Sequence, residues 1–101
     1  MKIRSKKHRE YVSQQPCIVT GIVGEGVQAH HLLRAGGKGL ATKACDSFCI
    51  PLYHEIHSAL HNSGNEVIFF TNHGIDYETV KQTARSLALA SPDKRIREIN
   101  N

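Results

Sequence analysis

The sequence has few cysteines and no long apolar run, and each shortage excludes a class of protein. Its three cysteines are an odd number and fit no secreted disulfide framework. No stretch of about 18 apolar residues occurs, so no membrane-spanning helix is expected. The basic N-terminus lacks the apolar centre of a secretory signal peptide, which makes the cytoplasm the expected compartment.

Hydrophobic residues are also on the low side, at 40% of 101 residues. This content suffices for a single modest core, and a bound metal would help to hold it. The length is near that of a common single domain. We therefore expect one domain.

Positive charge is concentrated in the first part of the chain. Residues 1–43 contain eight Lys or Arg and two Asp or Glu, a net charge of +6, whereas residues 44–101 contain five and seven, a net charge of −2. A basic arm of this kind suits a polyanionic partner. A solvated terminus that keeps the protein in solution is the alternative, and charge alone does not separate the two.

Apolar periodicity predicts alternating extended and helical segments. β-type residues bounded by glycine or proline indicate strands, and the near-continuously apolar run at 48–52 is expected to be covered on both faces. A helix ends before a proline because the preceding residue avoids the α region. The predicted helices are 5–14, 53–62 and the segment between Asp76 and Ser91; the predicted extended segments are 17–20, 27–32 and 48–52; the predicted loop is 33–45.

The last of these helices has the clearest pattern. Asp76 can cap its N-terminus. Tyr77, Val80, Ala84 and Leu87 recur at steps of three and four, which places them on one face. We expect this face to pack in the core and to have no catalytic or binding role.

Two segments give no firm prediction of regular structure. Residues 66–73 have the β-branched and aromatic content of a strand, yet Asn65 as a cap and Gly74 as a stop favour a short helix. These alternatives stay open. Residues 93–101 are expected to be poorly ordered.

Five of the seven histidines fall between residues 30 and 61. His57 and His61 are four apart, so on a helix both imidazoles reach one cation from the same side. Neighbours on a strand point to opposite faces, so one of His30 and His31 can complete a metal site while the other serves a separate role. A lone H-x-x-x-H motif more often belongs to a solvent-exposed helix face. Its combination with the His30-His31 pair on a strand is more specific for a metal site. His8 and His73 are expected to be incidental.

The order of these motifs resembles that of the HNH endonucleases of the ββα-metal fold, in particular small phage and prophage members that include recombination-associated nucleases. The resemblance covers about residues 5–90 and implies an α+β fold with a ββα-metal core and flanking N-terminal and C-terminal helices. It implies a basic arm or helix at 1–15, a nuclease domain at 16–90 and a tail at 91–101. The segments that carry it are Ala29-His30-His31-Leu32, Asp46-Ser47-Phe48-Cys49-Ile50-Pro51-Leu52-Tyr53-His54 and His57-Ser58-Ala59-Leu60-His61.

The resemblance also implies a mechanism of DNA phosphodiester hydrolysis. His31 matches the general base that takes a proton from the attacking water. His30, His57 and His61 match the ligands of one divalent ion, either Zn²⁺ or Mg²⁺/Mn²⁺. That ion would stabilise the charge that grows in the transition state.

Two departures from the family pattern matter. The residue nine before His57 is usually Asn, and here it is Phe48. We expect Asp46 to orient the base in its place or to fix the loop. Many relatives also hold a structural zinc with four cysteines, of which this chain keeps only Cys17.

We therefore expect no structural zinc of the four-cysteine kind. The three thiols, Cys17, Cys45 and Cys49, are expected to be ordinary buried side chains. A makeshift site that draws on Cys45, Cys49 and His54 is the alternative.

The basic loop is expected to contact DNA phosphates through Arg34, Lys38 and Lys43, which would give affinity without sequence information. A loop with solvated charges is the alternative. DNA is the expected partner, with a recombination or packaging protein as a further one. The competing functions are a non-catalytic zinc-stabilised nucleic-acid-binding module, whose metal would be fully coordinated, and an adaptor with a decayed site.

Overall fold

The computed structural model describes residues 3–32 and 46–99. Within them the chain has an α+β fold with one antiparallel pair of strands and five α-helices. In chain order the elements are α1 (Lys6–Ser13), β1 (Val27–His31), a single 3₁₀ turn (Asp46–Phe48), β2 (Cys49–Tyr53), α2 (His54–Ser63), α3 (Glu66–Asn72), α4 (Tyr77–Leu89) and α5 (Lys94–Ile99).

The strand pair is central to the fold. In its register, His30 of β1 lies opposite Ile50 of β2, and Ala29 lies opposite Pro51. The first four residues of β2 are all buried, which confirms that this strand is covered on both faces. Proline is tolerated inside β2 because each strand of a two-stranded sheet has an outer edge. There the Pro51 carbonyl accepts a hydrogen bond from the Ile18 N–H at 3.1 Å.

The predicted helices before and after the ambiguous segment are confirmed. α2 begins directly after β2 and ends at Gly64, whose φ of 78° is the left-handed conformation that glycine adopts readily. α4 buries Val80, Ala84 and Ala88, so the predicted inward face is largely correct. Asp76 stands at the N-cap of α4, although its side chain makes no capping hydrogen bond.

The ambiguous segment is a helix. The Asn65 side chain accepts a hydrogen bond from the Ile68 N–H at 3.0 Å, which caps α3. Phe69 and Phe70 are buried in the main core. The aromatic residues that favoured a strand thus pack on one side of a short capped helix.

The predicted strand at 17–20 is wrong. This segment is a turn, in which the Gly21 N–H donates to the Cys17 carbonyl at 2.8 Å and the Cys17 N–H donates to the Ile22 carbonyl at 2.9 Å. Gly21 has a φ of 79°, so it reverses the chain before a strand can form.

The prediction of a poorly ordered tail is also wrong, because Lys94–Ile99 form α5. Ile96 is fully buried and belongs to a small cluster with Ile3 and Ala88. The Ser5 hydroxyl donates to Asp93 Oδ2 at 2.5 Å. Long-range packing and this hydrogen bond therefore hold the segment on the rest of the fold.

None of the helices described here combines the length and the apolar character that a membrane crossing needs.

Candidate metal centre

Three imidazoles from two elements meet beside the strand pair. β1 contributes His30, and α2 contributes His57 and His61. The ring centroid of His30 lies 4.9 Å from that of His57 and 5.7 Å from that of His61. One nitrogen of each ring lies within 4.8 Å of the other two. These are the three residues predicted to bind metal, and we call them the histidine triad; their role as ligands stays a prediction.

A glycine allows the close approach that forms the triad. Gly26 has a φ of 95°, and a Cβ there would lie 2.8 Å from a carbon of the Tyr53 ring. Its carbonyl accepts the His54 N–H at 2.8 Å. The start of α2 is thereby fixed against the start of β1, which brings the helical histidines to the strand histidine.

Two oxygen acceptors favour one placement of the ring protons of His30 and His57. His30 Nε2 lies 3.0 Å from Glu66 Oε1, and His57 Nδ1 lies 2.7 Å from Gln28 Oε1. A neutral imidazole has one N–H, and an oxygen acceptor draws it to the nearer nitrogen. The remaining nitrogens, His30 Nδ1 and His57 Nε2, then face each other with lone pairs across 3.1 Å.

The surroundings keep His57 neutral. Burial, followed by the nearby His30, His61 and His31, lowers the pKa of His57 from 6.5 to about 4. A neutral imidazole is the form that binds metal. Two nitrogens on one tetrahedral ion, each about 2.0–2.1 Å from it, lie roughly 3.3 Å apart. The donor set and the spacing therefore fit a bound divalent cation.

The second histidine of the pair forms a separate dyad with a buried acid. His31 Nε2 lies 2.7 Å from Asp46 Oδ1, and the His31 side chain is 30% exposed while that of Asp46 is 0% exposed. The Ser5 N–H donates to Asp46 Oδ2 at 2.5 Å, and the Arg9 guanidinium pairs with the same oxygen.

These contacts keep the acid ionised. Burial raises the pKa of Asp46, but hydrogen bonds from His31, Ser5 and Arg9 together lower it below its usual value. Cys49 lies close enough to form a second ligand group with His31 and Asp46. The Arg9 guanidinium already balances the negative charge of Asp46, so the charge of this second group does not call for a metal ion.

Comparison with known proteins places the chain in a family. The family model described as "Protein of unknown function (DUF968)" matches residues 1–91. The chain belongs to the DUF968 family. It is 33% identical over 75 residues to "Uncharacterized protein YdfU" of Escherichia coli (strain K12), which covers 74% of this DUF968 chain and 20% of YdfU. The DUF968 chain thus spans about a fifth of the length of that relative. No solved structure matches.

Other predicted site residues of the DUF968 chain lie apart from the triad or outside the described residues. Arg34, Lys38, Lys43 and Cys45 are outside them. His54 is exposed, stacks on Tyr53 with ring centroids 4.4 Å apart, and is not part of the triad. Both cysteines that the structure describes, Cys17 and Cys49, are buried and form no disulfide bond, which agrees with the prediction of ordinary buried thiols.

Sequence reasoning missed three polar residues of the DUF968 chain. Glu66 and Gln28 orient the triad rings, yet neither belongs to a spacing pattern with the histidines. His8 is fully buried, and its Nδ1 lies 2.8 Å from the Ser91 hydroxyl. His8 was expected to be incidental, and its burial was missed because its basic neighbours in the sequence do not indicate a buried position.

Proposed function

We propose that this protein is a metal-dependent HNH-type endonuclease that hydrolyses DNA phosphodiester bonds. One observation carries the proposal. His30 Nδ1 and His57 Nε2 face each other across 3.1 Å, and the next residue of β1, His31, is near enough to act on the pKa of His57. His31 pairs with Asp46 and, in the described contacts, forms no hydrogen bond to a member of the triad. A cation-binding group and an independent proton acceptor together suit the metal-assisted hydrolysis of a phosphodiester.

The order of elements supports a ββα-metal core. β1 and β2 form the antiparallel pair, and α2 follows β2 without a connecting residue. The triad draws on the first strand and the helix of this unit. The remaining helices pack around it, as the resemblance to the HNH family implies.

The triad would hold a single divalent ion through His30, His57 and His61. Three histidine ligands leave coordination positions for water or a phosphate oxygen. When bound, the ion would stabilise the charge on the phosphate and on the leaving oxygen.

His31 is proposed as the general base. Because Asp46 accepts the proton of Nε2, the unprotonated nitrogen of His31 is Nδ1, which would accept a proton from the attacking water. The Asp46 carboxylate would stabilise the imidazolium that results. Arg9 would keep that carboxylate ionised and in place.

A basic depression beside the dyad supports a nucleic-acid substrate. The depression has a volume of about 350 Å³ and is lined by α1 and β1 residues, namely Lys6, Arg9, Glu10, Ser13 and Ala29. Side chains alternate along a strand, so Ala29 shares its face of β1 with His31. Lys6 is 82% exposed and only loosely paired with Glu10, at 3.9 Å. Lys6 is thus available to a backbone phosphate that flanks the cut.

A plasmid nicking assay tests the proposal. Metal-stripped protein would receive Mg²⁺, Mn²⁺, Zn²⁺ or Ni²⁺ separately. Nicking is expected with at least one ion and not in EDTA. Stoichiometric metal binding and DNA binding without cleavage under any of the four ions would instead indicate the zinc-stabilised binding module.

A further inference from the structure

A buried carboxylate lies directly behind the histidine triad. Glu66 is the first residue of α3 and is 4% exposed. Its Oε1 lies 3.0 Å from His30 Nε2, and its Oε2 accepts a hydrogen bond from the Tyr77 hydroxyl. Burying a carboxylate is costly unless hydrogen bonds compensate. An acid in the first turn would favour α3 equally well from an exposed position, so helix stability does not explain the burial.

His30 has two neutral tautomers, and they differ in what they offer a cation. With the proton on Nε2, the ring donates to Glu66 and presents the Nδ1 lone pair to the triad. With the proton on Nδ1, the ring would donate to His57 Nε2 across 3.1 Å. That internal hydrogen bond would occupy both nitrogens and close the triad to a metal ion.

We propose that Glu66 is a positioning residue that selects the open tautomer. Its carboxylate holds the proton of His30 on Nε2, and Tyr77 holds the carboxylate through its second oxygen. The inference rests on the proposed metal centre and deepens it. Loss of such a partner of a ligating histidine typically lowers metal affinity about 10- to 100-fold.

Cobalt titration of the metal-stripped full chain tests this role. Glu66→Leu removes the acceptor, whereas Glu66→Gln keeps an acceptor oxygen without the charge. We expect Co²⁺ affinity to fall about 100-fold in the Leu variant and about 10-fold in the Gln variant. The matched control is Glu78→Gln, an exposed acid that pairs with Lys81 at 2.8 Å on the surface of α4. Its Co²⁺ affinity should equal that of the wild type.

The tautomer itself provides a readout that needs no metal. Long-range ¹H–¹⁵N NMR spectra of the metal-free protein should show His30 with its proton on Nε2 in the wild type and in Glu66→Gln. In Glu66→Leu the proton should move to Nδ1. If the Leu variant does not fold, the wild-type tautomer and the affinity of Glu66→Gln decide the question.

Two results would overturn the inference. One is an Nδ1-protonated His30 in the folded wild type, and the other is Glu66 variants that bind Co²⁺ as tightly as the wild type. A wild type that binds no Co²⁺ would overturn the proposed function and this inference together. Cobalt binding by the wild type with unaltered affinity in the Glu66 variants would overturn the inference alone.

Discussion

His31 Nε2 lies 2.7 Å from Asp46 Oδ1, and Asp46 Oδ2 is held by Arg9 and the Ser5 N–H. The acid is therefore fixed on one side by the protein and presents its other oxygen to the imidazole. Such an arrangement assigns the His31 proton to Nε2 and leaves Nδ1 as the acceptor. The proposed mechanism depends on these separate roles of the two ring nitrogens.

Replacement of His31 by alanine should slow DNA cleavage by about 10²- to 10⁴-fold, the usual contribution of a general base. Metal content should stay unchanged, because the triad does not include His31. Plasmid nicking and metal analysis of the same preparation measure both. His73→Ala, which alters an exposed histidine, is the control. Cleavage by His31→Ala at the wild-type rate would show that the base is another group.

Replacement of Asp46 by asparagine should slow cleavage and also destabilise the fold. The amide NH₂ would face groups that now donate hydrogen bonds to the carboxylate. Leaving a buried donor without an acceptor costs about 1–3 kcal/mol. Denaturant unfolding measures this loss, with the exposed Glu55→Gln on α2 as the control. Equal free energies of unfolding for Asp46→Asn and the control would contradict the dyad geometry.

Replacement of His57 by alanine should remove the bound metal. His57 contributes one of three triad nitrogens, and its loss leaves only His30 and His61. His54→Ala on the same helix is the matched control and should retain metal, because His54 lies outside the triad. Competition with a chromogenic chelator measures both. Stoichiometric metal in His57→Ala would refute the ligand assignment.

Replacement of Lys6 by alanine should weaken DNA binding and reduce the salt dependence of log K by about one unit of slope, as expected for one lost phosphate contact. Metal-free protein in EDTA separates this binding from cleavage. Lys94→Ala is closely matched, since Lys94 and Glu98 form the same kind of exposed pair on α5, at 3.8 Å. If both variants give the same slope as the wild type, Lys6 does not contact a phosphate.

Acidification should destabilise the fold through His8. Burial lowers the pKa of His8 below 6.5, although Asp46 and Asp93 oppose the shift. As the pH falls through about 6.5, the unfolded chain gains a proton that the folded chain resists, so the free energy of unfolding decreases. The loss is complete only below the folded pKa.

The variant His8→Asn isolates this effect, because asparagine can keep the contact to Ser91 and does not titrate. Urea unfolding of metal-stripped protein between pH 7 and pH 5 measures it. The wild type should lose more stability over this range than the variant. Parallel curves would mean that His8 is not responsible.

Local patterns predicted the elements that their own residues determine. The apolar run at 48–52 contains the four buried residues of β2, although Phe48 belongs to the preceding 3₁₀ turn, and the four-residue step from His57 to His61 lies on a helix. Because β2 leads directly into α2, these short-range patterns also bring the triad together once β1 pairs with β2.

Elements that depend on distant partners could not be predicted. Ile96 is a single apolar residue among charged neighbours, and its burial requires Ile3 and Ala88. Glu66 meets His30 across 36 positions of sequence, and an acid after a capping asparagine is ordinary in any helix. At 17–20 the Ile18 N–H reaches the edge of β2, but the turn that ends at Gly21 prevents a strand, because strand preference depends strongly on context.

The hydrogen bond between Ser5 and Asp93 joins positions 88 residues apart, so the start of α1 lies beside the start of α5. A designed linker from the end of α5 to the start of α1 would close the described backbone into a ring, and the ring could be opened between β1 and β2. The helical histidines would precede the strand histidine in such a permuted protein. Metal binding by the triad should be retained in the permuted protein, because it depends on where the nitrogens lie in space and not on their order in the sequence.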